Sequence, residues 1–185
     1  MPIIPVVRYI LAICLAAPVL AVLCWKDWRA RTLPNPFTFG LAVLGFGLRL
    51  WMDGLGGVVD GLLGALAGAL FLLVPFLMRA AGGGDVKMLA AAGVFTGLRL
   101  CMAELLFVSL AGLALAAVLV VARAVSPARL WHLLRCVFDW RYDRAKGRES
   151  LPSKSDERGR VPFGIAIALG TIATLAYAAW MESGS

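Results

Sequence analysis

The chain has 185 residues, 61% of them hydrophobic and 16% charged, with a net charge of +7. Soluble domains carry about 25% charged residues, so this composition excludes an ordinary soluble enzyme. The positive charge also lacks the clustered basic surface with interleaved stacking aromatics that a nucleic-acid binder uses.

Four stretches are free of charge: Tyr9 to Trp25, Gly61 to Met78, Leu105 to Ala122 and Val161 to Met181. Crossing about 30 Å of hydrocarbon takes roughly 17–25 apolar residues, and each stretch meets that need. Two weaker stretches lie between them: Phe37 to Asp53, which carries Arg49, and Val86 to Leu100, which carries Arg99. The pattern predicts an all-α polytopic membrane protein of about six transmembrane helices, forming a single membrane-embedded domain over 1–185. The first stretch is expected to be a retained helix rather than a cleaved signal.

Helix 1 is expected to end in "CWKDWRARTLPNPF", which contains Lys26, Asp27, Arg29 and Arg31. Here Asn35 is a candidate cap for helix 2 and Pro36 suits its first turn. Pro34 and Pro36 stiffen the connection, since the residue before a proline avoids helical dihedrals. In helix 3, Gly57, Gly61, Gly64 and Gly68 are spaced for close helix packing in lipid. Asp60 reads as a carboxylate in a first helical turn, and Glu104 as an acid near the outer side.

The next connection reads Gly82-Gly83-Gly84-Asp85-Val86-Lys87. Glycines permit a sharp turn and close approach of another backbone, such as an extended peptide. Asp85 then opens helix 4, where the helix dipole favours negative charge.

Ser126 to Arg160 is the one long segment that does not cross. Its first half, from Ser126, has apolar residues at helical spacing with arginines between them. It is expected to form a cytoplasmic interfacial helix between helices 5 and 6. The whole 126–160 loop is basic, and anionic lipid is its expected partner. His132 within it reads as an interfacial polar side chain. The four cysteines form no CxxC pair and read as apolar fillers, so no metal or other cofactor is expected.

Fifteen of the 18 basic residues fall in the connections 1–2, 3–4 and 5–6. Positive charge marks the cytoplasmic face, which predicts both termini outside. Asp27 and Asp85 are separated by one out-and-back pair of crossings, so parity returns them to the same cytoplasmic face. Two nearby carboxylates resist joint ionisation and share a proton. One can then take a proton from water while the other, protonated, hydrogen-bonds a carbonyl. Asp85 is the expected readier anion, although such a pair titrates as a unit.

An aspartate closing helix 1, followed by Arg and Leu33-Pro34-Asn35, "GGGDVKML" and "AAAGVFTG", resembles the type IV prepilin peptidase family. "RVPFGIAIALG", from Arg160, is similar to that family's final-helix motif, with Ile165 where many members have proline. The resemblance implies a GxGD aspartyl endopeptidase of the cytoplasmic membrane that acts on prepilins or pseudopilins. Such enzymes remove a short basic leader, usually after a glycine. It implies that Asp27 and Asp85 are catalytic and that Gly82 and Gly84 belong to the GxGD motif. Gly83, Lys87, Pro34 and Asn35 are the expected substrate-binding or site-shaping residues. Longer members carry a zinc-binding CxxC insertion and also methylate the new N-terminus. This chain lacks the insertion and resembles the short form of tight-adherence pilus systems, so no N-methylation is expected. Three alternatives remain open: a small transporter using membrane carboxylates, a presenilin-like protease cutting within membrane spans, and a non-catalytic assembly component.

Overall fold

The computed structural model describes residues 3–30, 33–77, 81–121 and 163–184. These form four helices in chain order: α1 (Ile3–Ala30), α2 (Asn35–Leu77), α3 (Gly83–Val121) and α4 (Phe163–Ser183), and no strand occurs among them. All four are long and apolar enough to cross a membrane, and the protein is a multi-pass membrane protein. A helix satisfies its backbone N–H and C=O groups internally, as hydrocarbon requires.

The sequence separates helix 2 from helix 3 and helix 4 from helix 5. In the structure each pair is joined through one non-helical glycine: Gly54 in α2 (φ 64°, ψ −151°) and Gly97 in α3 (φ 68°, ψ −179°). Essentially only glycine adopts these dihedrals. The bends are severe. A straight helix of 43 residues would be about 65 Å long. Yet both ends of α2 meet the start of α3. Lys87 Nζ donates to Asn35 Oδ1 at 3.0 Å, and a Cβ on Gly83 would lie 3.4 Å from the Phe76 ring. α2 therefore doubles back at Gly54. α3 does the same at Gly97, because Gly84 lies against Leu33 while Gly112, near the other end, lies against Phe163 of α4.

Lipid tails are as apolar as leucine, so helices associate in the bilayer through close packing. The second half of α2 meets the first half of α3 in this way. A Cβ on Gly64 would collide with the Gly93 carbonyl, and one on Gly68 would lie 2.9 Å from the Leu89 carbonyl. Gly61 packs on the Val94 carbonyl in the same row, and Gly57 faces the other half of α2 at Arg49 and Asp53. The core behind this seam includes Leu20, Leu23, Leu41, Met88, Leu89, Ile167 and Leu175, all nearly inaccessible.

Two polar clusters lock the bends. Arg49 is buried at 3% exposure. It donates to the carbonyls of Val94 and Phe95 and, at 2.6 Å, to Asp60. Asp60 also accepts the Leu98 N–H at 3.2 Å, so it caps the segment of α3 that begins after Gly97. The acid read as serving its own helix serves a different one. Glu104, expected only as an acid near the outer side, is enclosed within the bundle. It is 1% exposed, and its two oxygens accept from Thr96 Oγ1 at 2.7 Å and Thr171 Oγ1 at 3.1 Å. A carboxyl group taken out of water needs such partners, and they come from across the α3 bend and from α4.

The interfacial helix and basic loop expected over 126–160 lie outside the described residues.

Candidate active site

Six helix ends converge on one side of the bundle. α1 ends at Ala30, α2 and α3 each begin and end there, and α4 begins there. Leu33, just after α1, packs on Gly84, with its Cβ 2.9 Å from where a Gly84 Cβ would be. The packing of Gly84 on Leu33 brings the chain leaving Asp27 against the chain entering Asp85. The missing side chain at Gly84 is what permits it.

Asp85 is held by its own helix. Gly82 precedes α3, and Asp85 Oδ2 accepts the Gly82 N–H at 2.9 Å. The Gly82 carbonyl in turn accepts from the Asp85 N–H at 3.1 Å. The side chain thus supplies one half of a capping box, with aspartate in place of the usual glutamate, while glycine has no side chain to return the bond. Asp85 is partly exposed, whereas Asp27, one turn from the end of α1, is 6% exposed.

Asp27 is held by a different helix. Its Oδ2 accepts the N–H of Gly164, in the first turn of α4, at 2.9 Å. The first N–H groups of a helix have no partner within it, and they bind anions readily. Both acids therefore lie on helix N-termini at the same end of the bundle. Sequence reasoning singled out both acids but did not anticipate the Gly164 contact. The available signal was the "PFG" motif, which named the segment without naming its partner.

Pro34 and Asn35 shape the neighbouring turn. The Pro34 carbonyl accepts from the Phe37 and Thr38 N–H groups at 3.2 and 3.4 Å, so Pro34 holds the cap position expected for Asn35, and Asn35 is the first helical residue. The Asn35 side chain is instead engaged by Lys87. This bond ties the start of α2 to the first turn of α3. Gly83 is exposed beside Phe76, while Gly82 and Gly84 are half-buried. Lys26 lies over the Phe37 ring at 5.5 Å and Arg29 over the Trp25 ring at 5.7 Å. Two cations on aromatic faces thus flank Asp27 in the last turns of α1. Among the described residues no three His, Cys, Asp or Glu side chains gather as a metal-binding group.

The arrangement offers two carboxyl groups, one buried and one partly open, at the mouth of a helix bundle where backbone ends converge. This equipment is suited to moving protons at a carbonyl. In comparison with known proteins, the type IV leader peptidase family matches residues 14–117, more than half of the chain and including both aspartates. No curated protein and no solved structure matches.

Proposed function

The chain belongs to the type IV leader peptidase family and is a peptidase; we propose that it is an aspartic endopeptidase in which Asp27 and Asp85 form the catalytic pair. Its substrates are prepilins or pilin-like precursors. It removes their short basic leader at the cytoplasmic face of the cytoplasmic membrane and leaves the new N-terminus unmethylated. The chain crosses the membrane six times, with the bends at Gly54 and Gly97 on the outer side and both termini outside.

In this reading the pair carries one proton. One carboxylate takes a proton from water as the oxygen attacks the scissile carbonyl carbon. The other, protonated, hydrogen-bonds the carbonyl oxygen and stabilises the negative charge that develops there. Collapse of the tetrahedral intermediate breaks the C–N bond. A carboxyl group protonates the departing amine, so the pair again carries one proton. The apolar helix following the leader reaches the site from the lipid, and Gly82 to Gly84 leave room for an extended peptide backbone.

The observation that carries the reading is the contact of Leu33 with Gly84, which brings the two acid-bearing segments together at one end of the bundle. Co-expression with a pilin precursor tests it. Asp27→Asn and Asp85→Asn should each abolish leader removal while the protein remains in the membrane. Full processing by either variant would remove that aspartate from the mechanism.

A further inference from the structure

Gly164 lies outside the segment that the family matches, yet α1 engages it twice. Its N–H donates to Asp27 Oδ2 at 2.9 Å, and its carbonyl accepts from Cys24 Sγ at 3.6 Å. Cys24 and Asp27 are three residues apart, so they lie one above the other on one face of α1. They grip a single residue in the first turn of α4 from both sides. The glycine is also required by space. A Cβ there would lie 2.8 Å from Asp27 Oδ2, 3.3 Å from its Cγ and 3.4 Å from its Cβ. Gly164 is not among the glycines with positive φ, so its backbone suits any residue. Backbone conformation therefore gives no reason for glycine here, whereas the approach of the Asp27 carboxyl group does.

We propose that Gly164 is a positioning residue: its N–H fixes the orientation of the Asp27 carboxyl group, and its missing side chain lets that group sit against the start of α4. The inference rests on Asp27 being catalytic. It adds a third segment to the site, so that α4 has a part in the reaction as well as in the packing. The two aspartates are then oriented alike. Asp85 is held by the Gly82 N–H of its own helix, and Asp27 by the Gly164 N–H of a helix 137 residues away.

The test is steady-state cleavage by the purified full-length protein in liposomes. The substrate is a precursor peptide with a basic leader, a glycine and an apolar helix. Gly164→Ala keeps the N–H and a helical backbone but pushes on the carboxyl group. It should lower kcat by about 100-fold, the cost of a displacement of roughly 1 Å at a reacting group, and leave KM nearly unchanged. Gly47→Ala, whose Cβ would meet nothing within 4 Å, should keep wild-type kcat. If Gly164→Ala does not extract as folded protein, Cys24→Ala decides, because it loosens the same grip without adding bulk. A lowered kcat at unchanged KM supports the assignment, and wild-type kcat overturns it. Wild-type kcat in Gly164→Ala beside an inactive Asp27→Asn would overturn the role of Gly164 alone. An active Asp27→Asn would overturn the catalytic reading itself.

Discussion

Arg49 shows how a charge can hold an apolar fold together. It sits in a stretch otherwise suited to crossing the membrane, and its guanidinium fans out to three acceptors that only the folded chain brings together. Arg49→Leu would leave Asp60 and the Val94 and Phe95 carbonyls without that donor. Thermal unfolding in detergent should register a loss of about 3 kcal/mol, the low end for a broken buried ion pair, since Asp60 keeps 29% exposure. Arg8 and Asp53 form a second pair at 3.1 Å, with side chains 27% and 31% exposed. Arg8→Ala should therefore cost less than about 1 kcal/mol. Equal losses in the two variants would show that burial is not what makes Arg49 important. Glu104 extends the contrast. Its hydroxyl partners lie 8 and 67 residues away, so hydropathy along the chain offers no hint that the carboxyl group is enclosed.

Among the elements, the bends teach more than the helices do. The apolar runs locate α1 and α4 closely, because an uncharged stretch long enough to span has few other uses. They also show that residues 35–77 and 83–121 each hold enough for two passes. They do not show that the reversal takes one residue in each case. Gly54 lies among several glycines, and Gly97 precedes Arg99, whose charge draws the expected end of helix 4 beyond the true bend. The glycine row of α2 was legible, because spacing by three and four residues is a property of one helix face. Its partner was not. The Gly93 carbonyl comes from another element, and the contact follows only from how α3 doubles back. Gly64→Ala should therefore destabilise the protein despite alanine's advantage of about 1 kcal/mol over glycine within a helix, whereas Gly47→Ala should be neutral or stabilising. Comparing their melting temperatures checks this. A more stable Gly64→Ala would mean that the two helices do not meet as closely as the Gly64–Gly93 packing requires.

At the scale of the whole molecule, the doubled helices explain how a chain with two acids 58 positions apart can bring them to one end. An even number of passes separates Asp27 from Asp85, so counting crossings predicts the shared face before any contact is known. The parts of the site that counting could not reach are the contacts between segments distant in sequence: Gly84 on Leu33, Lys87 on Asn35 and Gly164 on Asp27. The central claim is that the two acid-bearing segments share the cytosolic rim. It is tested most directly by single cysteines at the exposed positions Arg29 and Lys87, introduced into a chain freed of its four native cysteines. A membrane-impermeant maleimide applied to inside-out vesicles should label both, and applied to intact spheroplasts it should label neither. Labelling of the two positions from opposite sides would contradict the shared site.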